Sequence, residues 1–411
     1  MKKKVYVRAP VLSQSGYGEQ SRFALRALRS RSDLFDIYVQ PISWGQTGWV
    51  WEDTEFRRWM DEKIAKTQQL ISDNQLKPDV SLQITIPNEF EKLCPINIGY
   101  TAGIETDRVS PIWLEKANLM NKVLVVSNHS KTVYENTQAQ AKNERTGEVK
   151  PYKVTTPIDV VWETTPRHEP EEISELKLDY DFNFLIVSQL GPRKNFYNSI
   201  TWFVEEFIDQ EVGLVIKTNL RGNSIMDLEA TEIKLNQILK NYPERKCKVY
   251  LLHGDLSSGQ MTSLYTDPKI KAMINIAHGE GFGLPLFEAA REGLPIVTIP
   301  WSGQLDFLRH NGVDYFSKVK FSISPIGKES IWEGVIEANA MWAYAEQGSY
   351  KMTLRKVYKK WNEAKKTADK LKTIINEKFS DEAIYDKFIS SMSYFIIDEQ
   401  DEMAFFNREN S

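Results

Sequence analysis

The stretch Ala272–Phe307 constrains the fold of this 411-residue chain more than any other. An apolar run at residues 272–276 has the composition of a buried strand, and a turn rich in glycine follows it. The glycines of this turn are Gly279, Gly281 and Gly283. Pro285 then opens a short helical segment, and a second apolar run, Leu294–Pro300, comes next. A strand that leads through a turn and a helix to another strand predicts a parallel α/β sheet, which binds ligands at the carboxyl ends of its strands.

Two carboxylates accompany this turn. Glu280 lies within it, and Glu288 lies eight positions later, in the predicted helix. Across a turn and a helix start, both side chains can face one cleft, where carboxylates accept paired hydrogen bonds from vicinal hydroxyls such as those of sugars and riboses. The exposed N–H groups at the helix start attract anions. The unit therefore predicts a sugar or nucleotide site, with a solvated glutamate pair on an ordinary strand–helix unit as the alternative.

Length and composition favour a two-domain protein without metal. A chain of 411 residues can bury two cores, and its net charge of −4 indicates neither a nucleic-acid nor an anionic-membrane partner. The two cysteines, Cys94 and Cys247, are too few for a disulfide framework, and the five histidines show no metal-binding spacing. The amino terminus lacks a long apolar region, and no apolar run approaches the ~20 residues that span a bilayer. We therefore expect a cytoplasmic protein with no transmembrane segment.

The residues around Glu280 resemble a family pattern. Glu280 and Glu288, with GFGLP between them and EAA…GLPIV after them, resemble the E-x7-E element of retaining GT-B glycosyltransferases, family 4 in particular. The resemblance implies the GT-B fold, an α/β fold in which two doubly wound parallel-sheet (Rossmann-like) domains face a cleft and a C-terminal helix crosses back to the first domain. It also implies metal-independent transfer of a hexose or pentose from a nucleotide-diphosphate-sugar to an acceptor hydroxyl, with retention. The nucleotide sugar is a co-substrate, and no other cofactor is expected.

A glycine turn near the amino terminus supports this resemblance. The sequence SGYG, which contains Gly16 and Gly18, precedes a predicted helix at Glu19–Arg31. It is similar to the first loop of family 4 glycosyltransferases, which lies against the donor phosphates and the acceptor. A tight strand–helix turn that merely uses glycine is the alternative.

A basic loop in the second half of the chain is a candidate diphosphate site. Arg193 and Lys194 lie between a predicted strand and an amphipathic helix, where two cations and the helix dipole can bind a diphosphate. In the family, an arginine follows the strand and a lysine comes five residues later. Lys194 falls on the lysine position, but Gln189 stands at the arginine position, so Arg193 or Lys217 is expected to replace the missing charge.

The resemblance assigns a role to each of these residues. Glu288 would bind the ribose hydroxyls, Glu280 would hold the sugar, and Arg193 and Lys194 would neutralise the diphosphate. The resemblance implies that the backbone of Gly281, Phe282, Gly283 and Leu284 would hold the donor sugar together with Glu280.

The acceptor side is less specified. Glu105, Asp107 and Arg108 follow a predicted strand and belong either to the catalytic cleft or to a surface loop. Many family members carry a histidine in this part of the first domain, whereas here the first domain has only His129, which is a general base, a helix cap or a surface residue. In same-face transfer the leaving phosphate can take the acceptor proton, so that histidine is dispensable.

A tryptophan-rich segment at residues 41–60 has no counterpart in this scheme. Its tryptophans are Trp44, Trp49, Trp51 and Trp59. They can form a platform that stacks on sugars or on bases, but tryptophans are commonly buried, so we expect core packing.

The expected domains are an N-terminal acceptor-side Rossmann-like domain at residues 1–165, a C-terminal nucleotide-sugar-binding domain at 166–380, and a returning helix at 381–411. Residues 328–379 are expected to be largely helical. A non-catalytic GT-B-like nucleotide- or sugar-binding protein and a phosphorylase-like enzyme remain alternatives. The acceptor can be a saccharide, a glycolipid, a protein or a modified nucleic-acid base, and the oligomeric state is open.

Overall fold

Alternating strands and helices form two separate parallel sheets in the computed structural model, which describes residues 2–142 and 145–396. The strands of the first half are β1 (Lys3–Ala9), β2 (Phe35–Pro41), β3 (Val80–Ile84), β4 (Ile96–Thr101), β5 (Lys122–Val125), β6 (Ala139–Lys142), β7 (Val149–Tyr152) and β8 (Ile158–Val160). Six of them form the first sheet in the order β2-β1-β3-β4-β5-β8, and all its pairs are parallel. Strands β6 and β7 form a separate antiparallel pair.

Four helices accompany the first sheet: α1 (Gly16–Ser30), α2 (Glu55–Ser72), α3 (Pro111–Ala117) and α4 (Asn128–Asn136). Serines begin two of them where strands end. Ser15 accepts a hydrogen bond from Gly18 N at the start of α1, and Ser127 accepts one from Ser130 N at the start of α4. Helix α1 buries its apolar side, which includes Phe23 and Leu28, against the sheet.

The second half has the strands β9 (Asn183–Val187), β10 (Gly213–Thr218), β11 (Lys248–His253), β12 (Ile270–Asn275), β13 (Ile296–Thr298), β14 (Arg309–His310), β15 (Val313–Asp314), β16 (Ser317–Lys318), β17 (Phe321–Pro325) and β18 (Met341–Ala345). The second sheet has the order β11-β10-β9-β12-β13-β16 and is also parallel throughout. Its central strand β9 is buried along its whole length, because helices cover both faces of such a sheet. The predicted domain boundary at residue 165 falls between β8 and β9.

The helices of the second half are α5 (Phe196–Phe207), α6 (Ile225–Leu239), α7 (Ser258–Thr266), α8 (Leu284–Arg291), α9 (Leu305–Leu308), α10 (Gln347–Lys359), α11 (Trp361–Lys378) and α12 (Asp381–Ile396). Helix α12 returns to the first sheet's side and packs on α1. Phe388 is fully buried there, with its ring 5.7 Å from Phe23 and 5.8 Å from Tyr100. The expected crossing of the C-terminal helix is confirmed, and residues 397–411 of that prediction lie outside the described residues.

The prediction that residues 328–379 are largely helical is wrong for their first third. Strands β17 and β18 form an antiparallel hairpin whose connection carries a 3₁₀ turn at Lys328–Ser330. This hairpin reaches the first half of the chain, where Asn88 Nδ2 donates to Gly334 O at 2.8 Å and Met341 N donates to Asp107 Oδ1 at 2.7 Å. The strands form because cross-strand pairing and contacts with a distant loop outweigh local helix propensity.

The prediction of core packing is wrong for two of the four tryptophans. Trp49 and Trp51 are 69% and 94% exposed, whereas Trp44 packs on Tyr17 at 4.3 Å and Trp59 stacks on Phe56 at 5.6 Å. The difference arises because residues 42–54 connect β2 to α2 over the surface instead of through the core.

Within residues 2–142 and 145–396, none of the helices combines the length and the apolar character that crossing a bilayer requires.

Candidate active site

The turn after β12 leads directly into the N-terminus of α8. Strand β12 ends at Asn275, and α8 begins at Leu284. Gly283 caps this helix with φ +94°, a left-handed conformation that glycine adopts without strain. Pro285 lies in the first turn of α8, where its missing N–H costs no helical hydrogen bond. The free N–H groups of α8 therefore lie directly after the turn that carries Glu280.

Glu280 forms a buried ionic cluster with the two predicted cations. Lys194 Nζ donates to both carboxylate oxygens at 2.6 and 2.8 Å, and Arg193 Nη1 donates to one of them at 3.0 Å. The Glu280 side chain is only 7% exposed, whereas Arg193 is 28% and Lys194 is 18% exposed. The structure thus brings together Glu280, Arg193 and Lys194, which the sequence places 86 or 87 residues apart.

The basic loop owes its position to local backbone geometry. Pro192–Lys194 form a 3₁₀ turn, and Asn195 follows with φ +51°, a left-handed conformation that asparagine tolerates better than most residues. Asn195 Nδ2 donates to Ile276 O at 3.2 Å, and His278 N donates to Arg193 O at 2.8 Å. These two bonds join the basic loop to the turn after β12, so the cations and the glutamate form one unit.

Charge balance keeps all three groups ionised. Burial alone would raise the pKa of Glu280, but Lys194 and Arg193 lower this pKa to about 2. Burial lowers the pKa of Lys194, with a further contribution from Arg193, while Glu280 opposes the change. Glu280, Arg193 and Lys194 together carry one net positive charge at neutral pH, and the Glu105 carboxylate, 3.4 Å from Arg193, offsets it.

Two residues that sequence reasoning missed, Asn275 and Ser302, support Glu280, and a third, His278, lies in the same turn. Asn275 Nδ2 donates to its carboxylate at 2.8 Å, and Glu280 N donates to Ser302 Oγ at 2.8 Å. Ser302 has φ +73°, a strained conformation for a residue with a β-carbon, which its buried contacts stabilise. His278 stacks on Trp342 with ring centroids 4.7 Å apart, and its Nδ1 lies 2.7 Å from Ala343 O. Only the position of Asn275 at the end of a predicted strand hinted at such a role.

Glu288 lies in a different environment from Glu280. Its side chain is half-buried on α8 and accepts a hydrogen bond from Tyr265 Oη at 3.0 Å. Burial raises the pKa of Glu288, and Glu19 adds to the rise while Arg291 opposes it. Lys217, at the end of β10, has its pKa lowered by burial, with Asp255 and Glu288 acting in the opposite direction. The charges of Lys217 and Glu288 therefore interact.

The first half of the chain closes over the turn after β12. A β-carbon on Gly279 would lie 2.2 Å from Glu105 O, and one on Gly281 would lie 2.9 Å from Gly103 N. Glu105 Oε1 is 3.4 Å from Arg193 Nε, so this predicted residue joins the cluster. Glycine is required at these positions because the two backbones touch.

The other acceptor-side candidates separate into two groups. Gly18 belongs to the turn that begins α1, and a β-carbon there would lie 1.9 Å from Ser13 O, whereas Gly16 has open space around it. Asp107 bonds with the backbone of Met341 and so serves the hairpin contact, while Arg108 lies 3.6 Å from Asp107.

Gln189 and His129 have different surroundings. Gln189 is exposed and donates to Leu220 O at 2.9 Å, outside the ionic cluster. His129 is half-buried in a ring contact with Trp301 at 5.1 Å, and burial lowers its pKa to about 4. It is therefore a neutral imidazole at pH 7, and of the three predicted roles, general base, helix cap and surface residue, the last is wrong.

In the part of the chain that the structure describes, no group of three or more His, Cys, Asp or Glu side chains is arranged to hold a metal ion.

Comparison with known proteins is consistent with this architecture. No family model matches the sequence. The curated relatives include a serotype-specific mannosyltransferase WbdA from Escherichia coli, which is 29% identical over 118 residues. That match covers 28% of this chain and 13% of the relative, so the chain aligns with only a small part of that protein.

Solved structures cover nearly the whole chain. A glycosyltransferase from Rickettsia africae superimposes with a TM-score of 0.61 at 10% identity, covering 97% of this chain and 100% of the other. HepE from Anabaena, solved in complex with UDP-glucose, gives 0.58 at 11% identity over 95% and 99%. Sucrose-phosphate synthase from Thermosynechococcus elongatus gives 0.58 at 11% identity over 93% and 96%.

These findings define the fold of the chain. The chain has the GT-B fold, with two parallel-sheet Rossmann-like units and a returning C-terminal helix, as the sequence predicted. At 10% or 11% identity, the structural likeness establishes the fold and leaves the reaction to be argued from the site.

Proposed function

We propose that this protein is a glycosyltransferase that moves a sugar from a nucleotide-diphosphate-sugar to an acceptor hydroxyl, with retention and without a metal ion. The observation that carries the proposal is the cluster of Glu280, Arg193 and Lys194 at the carboxyl ends of adjacent strands. Strands β9 and β12 are neighbours in the second sheet, and their ends are where α/β sheets bind ligands.

The unused donors of the cluster are suited to a diphosphate. Lys194 spends two of its three N–H donors on Glu280, and Arg193 retains N–H groups beyond those directed at Gly279, Glu280 and Glu105. Both cations are partly exposed, whereas the carboxylate is buried. The remaining donors and the start of α8 can therefore stabilise the negative charge that develops on a leaving diphosphate, which is the task a divalent ion performs elsewhere.

Glu288 is the proposed partner of the ribose. The Tyr265 hydroxyl donates to one lone pair of the Glu288 carboxylate. The remaining lone pairs of this carboxylate can accept hydrogen bonds from two vicinal hydroxyls. Glu280 and the backbone of residues 281–284 are assigned to the donor sugar, since they follow the cationic cluster along the same turn. In this scheme Arg193 supplies the positive charge that is missing at position 189. The Arg193 guanidinium contacts Glu280, whereas Gln189 lies outside the cluster.

The first test is nucleotide binding by the full chain. We expect one of UDP, GDP or ADP to raise the melting temperature, because a ligand at about 100 times its Kd adds about 2.7 kcal/mol to the free energy of unfolding. Glu288→Ala should weaken that binding by about tenfold or more, since ribose hydroxyls lose a charged acceptor. Glu292→Ala is the matched control, because Glu292 lies at the far end of α8. If no nucleoside diphosphate stabilises the chain, the proposal fails.

The second test follows the reaction. Incubation with a panel of nucleotide sugars that includes UDP-glucose and GDP-mannose should release the nucleoside diphosphate in the presence of EDTA. NMR of the product should show the anomeric configuration of the donor. Loss of turnover with EDTA would contradict metal independence, and an inverted product would contradict retention.

A further inference from the structure

We propose that the loop formed by residues 42–54, here the Trp loop, is an acceptor subsite that binds an uncharged oligosaccharide through Trp49 and Trp51. This inference rests on the proposed function, since it concerns the acceptor of the same reaction. The two indoles are 69% and 94% exposed, and the Val50 side chain between them is less exposed. Both therefore face the solvent side of the loop.

The Trp loop is held in place against the glycine turn at the start of α1. Gln14 N donates to Gly48 O at 2.9 Å, and Val50 N donates to Leu12 O at 2.8 Å. The Ser13 and Thr47 hydroxyls are 2.6 Å apart, which adds a side-chain bond between the two segments. An exposed tryptophan pair on a fixed backbone is a preformed surface, and each indole loses little rotamer freedom when a ligand binds.

The same loop stands beside the cleft. Trp44 packs on Tyr17, whose hydroxyl bonds with Thr101 at 2.8 Å at the end of β4. Strand β4 leads into the loop whose Gly103 N and Glu105 O touch the turn of Glu280. On the other side, a β-carbon on Gly48 would lie 4.0 Å from Asp255 Oδ2, which follows β11 of the second sheet. A ligand on Trp49 and Trp51 can therefore extend from the cleft in which transfer takes place.

Charge selects the class of ligand. Residues 42–58 contain three carboxylates and no lysine, and both arginines are ion-paired, Arg57 with Asp61 and Arg58 with Asp53. The segment carries 2 − 3 = −1 charges from Arg57 and Arg58 against Glu52, Asp53 and Glu55. A nucleic acid requires cations for its phosphates as well as aromatic rings for its bases. The apolar C–H face of a neutral sugar ring requires only a flat apolar surface, which an indole provides.

The test compares ligand length and ligand class in the full chain. Calorimetric titrations would use α-linked hexose oligosaccharides of one, three and six units and, separately, a single-stranded DNA 12-mer. We expect the six-unit saccharide to bind more tightly than the single hexose. Trp49→Ala and Trp51→Ala should each weaken binding of the six-unit saccharide by about tenfold. Affinity for the single hexose and for the nucleoside diphosphate should not change.

Trp332→Ala is the matched control, because Trp332 is 58% exposed on the β17–β18 hairpin. Its saccharide affinity should equal that of the wild type. Equal affinity of the wild type and both Trp-loop variants for the six-unit saccharide would overturn the inference, as would the absence of saccharide binding. DNA binding that the Trp-loop variants lose would also overturn it, in favour of a nucleic-acid acceptor. Failure of nucleotide binding would instead refute the proposed function, which separates the two failures.

Discussion

Four residues hold Glu280 in place. Lys194, Arg193 and Asn275 donate to its carboxylate, and Ser302 accepts from its backbone N–H. A buried carboxylate needs such compensation, because removing one partner of a buried ion pair costs about 3–5 kcal/mol. The same contacts fix the two cations at one place, so that in the proposed reaction charge stabilisation would require no rearrangement.

Replacing Lys194 tests this preorganisation. In Lys194→Ala, we expect kcat to fall by about 10²–10³-fold, the range seen when one group that stabilises transition-state charge is removed, with a smaller change in donor KM. Lys248→Ala is a suitable control, because Lys248 pairs with Asp179 at 2.9 Å on the surface of the second sheet. A rise in KM with unchanged kcat would show that Lys194 only binds the ground state.

The buried carboxylate of Glu163 should make the free energy of unfolding depend on pH. It is 3% exposed in the segment after β8, and burial together with the Glu19 carboxylate raises its pKa to about 8. The unfolded chain has a glutamate pKa of about 4.3, so the folded state binds one more proton than the unfolded state between about pH 4.3 and 8. The stabilisation that protonated Glu163 gives the folded state is complete below the pKa of the unfolded chain, and it is lost as pH rises through the pKa of the folded state.

We therefore expect Glu163→Gln to remove a downward slope in stability of up to about 1.4 kcal/mol per pH unit between pH 5 and 8. Chemical denaturation of both proteins at pH 5, 6.5 and 8 would measure this slope. The free energy of unfolding of the variant should rise relative to that of the wild type as pH rises. Glu175→Gln, a substitution of an exposed residue, should leave the wild-type slope unchanged. Parallel curves for Glu163→Gln and the wild type would show that Glu163 titrates normally.

At the scale of elements, the parts predicted from sequence are those that local patterns determine. The unit from β12 through α8 to β13 was predictable because an apolar run, a glycine turn and a proline at the helix start all lie within 30 residues. The exposure of Trp49 and Trp51 was not, because tryptophan content does not show whether a connection runs inside or outside the core. The β17–β18 hairpin was missed because its contacts, Asn88 and Asp107, lie more than 200 residues away.

The candidate site shows the same division. Glu280, Arg193 and Lys194 could be singled out by residue type and family resemblance, but their mutual contacts depend on the adjacency of β9 and β12. The support from Ser302 depends on a strained backbone, which residue identity does not report. Sequence thus indicated which charges matter, whereas only the folded chain shows that they contact one another.

Helix α12 is an element whose contribution can be measured directly. Phe388 is fully buried against Phe23 and Tyr100, so Phe388→Ala should reduce the free energy of unfolding by about 3–5 kcal/mol, through lost transfer energy and a residual cavity. Met352→Ala removes a large apolar side chain that is 68% exposed, and it should change stability by less than about 0.5 kcal/mol. Equal effects of the two substitutions in urea denaturation would show that α12 does not hold the first half of the chain.

For the whole molecule, the two halves meet through backbone at the site itself. Gly279 and Gly281 touch Glu105 and Gly103, and the β17–β18 hairpin bonds with Asp107 nearby. The ionic cluster also spans the halves, since Arg193 is 3.4 Å from Glu105. Relative motion of the halves would therefore change the distance between the Glu105 loop and the cations Arg193 and Lys194, which are the proposed acceptor and diphosphate sides, in a single step.

Gly279→Ala tests whether this close approach is needed for transfer. The added β-carbon would lie 2.2 Å from Glu105 O, so the halves would have to separate locally. We expect transfer to an acceptor to fall by at least about tenfold, because small misplacements of reacting groups cost about 10²-fold, while nucleotide binding by the second half is retained. Gly191→Ala is the matched control, since among the described residues no atom beyond its chain neighbours lies within 4 Å of the added β-carbon. Wild-type transfer by Gly279→Ala would show that the contact between the halves opens without cost, and the acceptor would then have to be positioned by the first half alone.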